Sequence, residues 1–162
     1  MGFVLSKLDY CNSLLSGCPQ FLIQKLQKVQ NNAARLILKI PRNDHISPHL
    51  MALHWLPVEY RIKYKLSCIC FNSVSGTAPS YLSSLLSLYT PSRPLRSSSD
   101  GKKFCVPLVS TRSFGQRSFV HSAPSVWNSL PYQLRSSNSL VSFKSALKTH
   151  LYTEVFGQGA SL

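Results

Sequence analysis

Apolar residues recurring every three or four positions dominate the first half of the chain. Leu22, Leu26, Val29, Ala33, Leu36, Ile37 and Ile40 fall on one face of a helix. The opposite face carries Lys25, Lys28, Asn32, Arg35 and Lys39. At roughly 100° per residue its four cations lie within about 80° of arc. Pro19 suits the first turn and Pro41 ends the pattern. The spacing therefore predicts a basic amphipathic helix over about 19–40. Ahead of it, Phe3 to Leu15 is a shorter apolar-rich helical segment that stops at Ser16-Gly17. After it, Ser47-Pro48 reads as an N-cap with proline at the first helical position, opening a short helix with His49, Leu50, Leu53 and His54. Pro57 opens a third long helix, from Val58 to about Val74, closed by Gly76. Val58, Ile62, Leu66 and Ile69 form its inner stripe, and Tyr60, Tyr64, Cys68 and Phe71 make its other side apolar too. Such a helix, over about 57–74, belongs in the middle of a core. Ala78-Pro79-Ser80 starts another short helix, Tyr81 to Leu88.

The pattern breaks over residues 90–103, a basic loop with two prolines, a serine run, Arg93, Arg96, an Asp100-Gly101 turn signal, Lys102 and Lys103. Phe104 to Val109 reads as a short strand, demoted to an edge by Pro107. Arg112 to His121 alternates less cleanly and reads either as a second strand or as a helix turn. Ala123-Pro124-Ser125-Val126-Trp127 opens a short helix that stops near Leu130-Pro131. Ser139 caps a last helix whose stripe is Leu140, Phe143, Leu147, Leu151 and Val155, flanked by Lys144 and Lys148. The expected fold is mainly α: several helices with a small irregular β portion near residues 104–120. Its organisation is a helical subdomain over 1–89, the basic loop over 90–103, a small α+β subdomain over 104–156, and a tail over 157–162.

Composition adds a partner to this picture. Hydrophobic residues make up 44% of the 162, enough to build a core. Eighteen Lys and Arg face five Asp and Glu, for a net charge of +13. The excess is spread over both halves, +6 up to Tyr89 and +7 beyond it. Such a surface repels itself unless a polyanion lies nearby. Nucleic acid is the first candidate, ahead of an anionic membrane surface or an acidic protein. No stretch approaches the roughly 18 apolar residues of a membrane span. MGFVLS fits an N-myristoylation pattern through Gly2 and Ser6, although Phe3-Val4-Leu5 also reads as core. The five cysteines are odd in number and suggest no disulfide framework, and Cys68-Ile-Cys70 lacks zinc-site spacing. A reducing, intracellular setting follows, in the nucleus or cytoplasm rather than outside the cell.

Catalytic patterns are missing. Two-metal nucleotidyl transfer needs carboxylates brought close together. Asp9, Asp44, Glu59, Asp100 and Glu154 are scattered and read as caps or charge partners. His45 and His49 stand four apart, but Pro48 between them breaks a shared helix face, and both read as polar positions around a helix start. There is no Gly-x-Ser-x-Gly elbow and no glycine-rich phosphate loop. No metal or cofactor is therefore expected on this chain. What remains is basic residues interleaved with aromatics. Lys25, Lys28, Arg35 and Lys39 can track phosphates; Arg61, Lys63 and Lys65 accompany Tyr60 and Tyr64; Arg93, Arg96, Lys102 and Lys103 lie in the loop. Each group also reads as a solvated surface, and the two tyrosines as core.

Several long strings carry a family resemblance. LDYCNSLLSG (Leu8 to Gly17), LQKVQNNAARLILK (Leu26 to Lys39), LHWLPVEYRIKYKL (Leu53 to Leu66), APSYLSSLLSLYTPSRPLRSS (Ala78 to Ser98), APSVWNSLP (Ala123 to Pro131) and SFKSALKTHLY (Ser142 to Tyr152) stand in that order. They resemble the segment downstream of the palm in jockey-type, LINE-like non-LTR retrotransposon reverse transcriptases, over about Leu5 to Phe156. The resemblance implies a thumb-side, C-terminal piece of an RNA-directed DNA polymerase, truncated at its N-terminus, whose fingers and palm lie elsewhere. It implies Mg²⁺ only for that palm. The family's aromatic-x-Asp-Asp motif has no counterpart here, so no residue carries over as catalytic. The implied partners are RNA or an RNA–DNA duplex, together with the missing palm and fingers. Two rivals stand beside this expectation: a stand-alone protein-interaction domain, and a relic of a truncated element with no selected function.

Overall fold

The computed structural model describes residues 2–91, 102–111 and 114–157. Within them run the helices α1 (Gly2–Asp9), α2 (Gln20–Leu38), α3 (Ser47–Ala52), α4 (Val58–Val74), α5 (Ser80–Ser83), α6 (Phe119–Ser129), α7 (Tyr132–Arg135) and α8 (Leu140–Phe156), with a 3-10 turn over Asn12–Leu15. The fold is mainly α. Its hub is α4, which packs against α1, α2, α5, α6, α8 and the 3-10 turn. Seven α4 residues are buried: Val58, Ile62, Leu66, Ser67, Cys68, Cys70 and Phe71. A helix apolar on more than one side can take neighbours on more than one side. Ile69 is only half-buried, while Cys70 is fully enclosed where α6 comes close. The Cys70 thiol lies 3.5 Å from the Ala123 carbonyl, and Ala123 has no exposed surface. Small residues on both helices permit that approach.

A run of aromatic rings ties α4 to the second half. Phe71 stacks on Phe143 of α8 at 4.5 Å, Phe143 meets Trp127 of α6 at 5.7 Å, and Trp127 meets Phe104 at 6.0 Å. One buried cluster thus reaches from Ile23 to Leu151. Each fully buried large side chain in it contributes about 1.5–3 kcal/mol. A smaller cluster, Ala34, Leu50 and Trp55, seats α3 against α2. In α8, Phe143, Leu147 and Leu151 are buried, and the Ser139 hydroxyl accepts the Ser142 amide at 3.1 Å as the N-cap.

Several boundaries differ from the sequence pattern. The first segment divides at Cys11, which takes a left-handed φ of 52° between α1 and the 3-10 turn. Gly17 follows with φ +68°, and a Cβ there would sit 2.9 Å from the Arg117 Cγ. The α3 helix begins at Ser47 itself, with Ile46 as its N-cap. α6 begins at Phe119, four residues before the expected start, and holds Pro124 in its interior. Packing of Phe119 and Ala123 against the core outweighs the proline's lost amide. The strand expected over Phe104 to Val109 shrinks to one antiparallel bridge, Leu88 to Phe104. Pro107 has no N–H to extend a ladder. Instead Asn128 takes both backbone groups of Phe104, accepting its N–H at 3.0 Å and donating to its carbonyl at 2.8 Å. Trp127 Nε1 donates to the Lys102 carbonyl at 2.8 Å, so α6 holds this segment edge-on. The Asp100-Gly101 turn lies outside the described residues.

Candidate nucleic-acid interface

The basic surface of α2 depends on which way the helix is turned. The apolar stripe read from spacing would put Leu22, Val29 and Leu36 inward. The structure corrects this: Ile23, Gln30 and Ala34 are buried, and Leu22, Val29 and Leu36 are exposed. Two hydrogen bonds help to hold that orientation. Gln30 Nε2 donates to the Leu56 carbonyl at 2.9 Å, and Gln27 Oε1 accepts the Val58 amide at 2.8 Å. Val58 opens α4, so its amide lacks an intrahelical acceptor, and Pro57 ahead of it has no N–H to offer. The two glutamines satisfy the turn into the central helix. Two polar side chains outside the apolar stripe are thereby drawn in.

Facing away from that contact, α2 presents Lys25, Lys28 and Lys39, all exposed. Asn32 lies among them, and α2 contains no Asp or Glu. Lys25 sits over the Phe21 ring at 5.8 Å. Lys39 closes the helix in the left-handed region, φ 53°, a position that usually takes glycine. Beyond it, exposed Arg42 joins Asn32, Arg35, Leu36, Lys39 and Ile40 around an open depression of about 610 Å³. Arg42 escaped the sequence reading because it follows Pro41 and so falls outside the helical period.

The other cations chosen from the sequence divide into different roles. Arg35 is not a free member of the row. Its guanidinium donates to the Pro41 carbonyl at 2.5 Å and the Asp44 carbonyl at 2.7 Å, fastening the turn after α2. Arg61 grips Asp9 with both arms, Nε to Oδ1 at 2.7 Å and Nη2 to Oδ2, and so pins α4 to α1. Lys63 lies 3.9 Å from Glu59 and 3.8 Å from Glu154, over the Tyr60 ring. Lys65 is exposed and lines a separate cleft with Lys148. Lys102 is exposed and Lys103 half-buried. Arg93 and Arg96 lie outside the described residues. The structure thus keeps Lys25, Lys28 and Lys39 exposed on one side of α2, and Arg42 joins Lys39 at the depression beyond its end. Arg35 and Arg61 serve the fold.

The thiols and phenols near the core are quiet. Burial pushes Cys70 up to about 12, with Cys68 beside it adding to the rise. Burial also raises Cys68, against the pull of Lys144, Tyr64 and Lys65. Tyr64 is pushed up to about 12 by burial and by Cys68. Neither cysteine is thereby readied as a thiolate nucleophile. His45 is exposed, His49 half-buried in α3, and His54 stacked on Tyr152 at 5.9 Å. Among the described residues no three of His, Cys, Asp and Glu gather as a metal-holding group. No helix among them is long and apolar enough to cross a membrane. Compared with family models, curated proteins and solved structures, the chain matches none.

Proposed function

We propose that this chain acts as the thumb-side, C-terminal part of a retrotransposon RNA-directed DNA polymerase, and that it grips RNA or primer–template duplex electrostatically. One observation carries the gripping role: Lys25, Lys28 and Lys39 stand exposed on one face of a helix without a carboxylate. Cations so placed neutralise phosphates and release counterions, with little readout of sequence. The assignment to a polymerase rests on the family resemblance of the strings from Leu8 to Tyr152. On this reading the chain works inside the cell, in nucleus or cytoplasm. It contributes grip and no chemistry, and any Mg²⁺ belongs to the palm.

The test is binding of the purified chain to structured RNA and to duplex DNA across a salt series. Affinity should fall steeply with salt. Replacing Lys25, Lys28 and Lys39 with Gln should flatten the slope of log K against log salt by about 2–3, since each phosphate contact contributes about 0.7–0.9. Arg35 is left intact, because its loss would loosen the turn after α2. Absence of binding at low salt would overturn the proposal. Primer extension by the isolated chain with Mg²⁺ would overturn its non-catalytic part.

A second reading has its own support. Phe3, Tyr10, Leu14 and Leu36 are each more than 70% exposed. Large apolar side chains in the open favour a protein partner, whether the rest of a polymerase or an unrelated one. Salt-insensitive association with protein, without nucleic-acid binding, would select this reading.

A further inference from the structure

Three large apolar side chains of α2 stay outside the fold at seven-residue intervals: Leu22 is 38% exposed, Val29 49% and Leu36 82%. Leu26 and Ala33, both half-buried, stand between them, so the steps along the helix alternate four and three. This is the narrow seam of helix-on-helix packing, not the broad stripe that a globular core covers. From Leu22 to Leu36 the seam runs about 21 Å, at about 1.5 Å per residue. Its two flanks are unlike. On one side Ile23 and Gln30 are buried in the fold. On the other side Lys25 and Asn32 each follow a seam residue by three positions, about 60° round the helix, and Lys39 stands at the end of their row. Lys25, Asn32 and Lys39 are exposed, and α2 has no Asp or Glu. Neither lysine forms an ion pair among the described residues. A helix laid on this seam meets one charged flank, and that flank is cationic throughout.

We infer that the outward seam of α2 docks an acidic amphipathic helix, its apolar stripe on Leu22, Val29 and Leu36 and its carboxylates along Lys25 and Lys39. Charges beside such a seam select the partner: opposite signs admit it and like signs reject it. A second copy of this chain is rejected on that ground. In a two-fold pair the same lysine row meets itself, with +13 on each side. An anionic lipid surface takes up a broad apolar face, and the exposed row here is narrow. The inference goes beyond nucleic-acid gripping and does not rest on it. Phosphate contact uses the lysines alone, whereas docking also needs the apolar row.

The probe is a three-heptad peptide with Leu at both seam positions, Glu at both flanking positions and Ala elsewhere. Its Glu flanks keep it from pairing with itself. Fluorescence anisotropy of the labelled peptide, titrated with the full chain, should show saturable binding. A peptide of the same composition in shuffled order, and one with Lys in place of Glu, should each bind at least about tenfold more weakly. Leu22→Gln, Val29→Gln and Leu36→Gln combined should weaken binding at least about tenfold as well. The same variant should leave the salt slope for structured RNA unchanged, since that slope counts cations. All three side chains are exposed, so the variant should keep its fold, checked by circular dichroism. Peptide binding by a chain that binds no RNA would support docking while overturning the gripping role. No saturable peptide binding would overturn the inference, as would binding indifferent to the peptide's order or to the triple variant. A dimer in sedimentation, or capture by phosphatidylserine vesicles, would also overturn it if the triple variant abolished either one.

Discussion

Gln30 and Asn32 stand two residues apart on α2 and are chemically alike, so one substitution at both sites tests how the helix is turned. At roughly 100° per residue Gln30 borders the apolar stripe about 20° beyond Ile37, while Asn32 stands among the cations, and spacing alone does not say that Gln30 is enclosed. The structure makes the two unlike. Gln30 has no exposed surface and donates to the Leu56 carbonyl, whereas Asn32 is exposed. In Gln30→Glu a carboxyl is enclosed beside the Leu56 carbonyl, to which it can donate only when protonated. Burial disfavours the ionised form, so the folded chain keeps this carboxyl protonated well above its unfolded pKa of about 4.3. Holding it neutral at pH 7 costs about 1.4 kcal/mol for each of roughly 2.7 pH units, about 3.7 kcal/mol at most. A folded pKa raised in this way means the deficit is largest at high pH. It shrinks as pH falls toward the unfolded value. Urea unfolding followed by circular dichroism should therefore show Gln30→Glu less stable than the parent at pH 7 by an amount approaching that limit of about 3.7 kcal/mol. The gap should close by about 1.4 kcal/mol per pH unit down to about pH 4.5. Asn32→Glu should change stability by no more than about 0.5 kcal/mol. Equal, small effects at both positions would refute the orientation of α2, and with it the face on which Lys25, Lys28 and Lys39 are placed. A large deficit independent of pH would refute the buried-carboxyl argument.

Other expectations follow from single positions. Gly17→Ala should destabilise by about 2–3 kcal/mol, since a left-handed φ costs about 1–2 kcal/mol for an L-residue and the added Cβ also meets Arg117. Gly76→Ala, at φ +71° with open space around it, should lose only the backbone part, and equal losses at both sites in urea unfolding would remove the Arg117 contact from the account. Thiol labelling of the native chain should modify exposed Cys11 and Cys105 and spare Cys68 and Cys70 until the chain unfolds, and rapid labelling of Cys70 would contradict its enclosure. Because burial raises Cys70 from 9.0 to about 12, its contribution to stability is complete below about pH 9 and is lost as pH rises toward 12. Melting temperatures that stay flat over that alkaline range in a Cys70-containing chain, and match those of Cys70→Ala, would refute this.

Local periodicity and capping, legible in the sequence, determined much of this protein. Helices over α2, α4 and α8 follow from apolar spacing, Ser139 from cap chemistry, and the central place of α4 from a helix apolar on more than one side. The charge of +13 was equally plain. Periodicity fixes a helix, but it fixes the inward face only when nothing else competes for that face. On α2 something did: the amide of Val58 and the carbonyl of Leu56 needed partners, and Gln27 and Gln30 were in reach. An enclosed backbone group without a partner costs about 1–3 kcal/mol, as much as burying one leucine returns. The tertiary structure therefore turned the glutamines in and left Leu22, Val29 and Leu36 outside. It also sorted equal charges into unequal roles. Arg35 and Arg61 were drawn into a turn and an ion pair, while Lys25, Lys28 and Lys39 stayed free of carboxylates. The cleft between Lys65 and Lys148 joins positions that no local pattern relates. Only the packing of α8 beside α4 brings them to the same space.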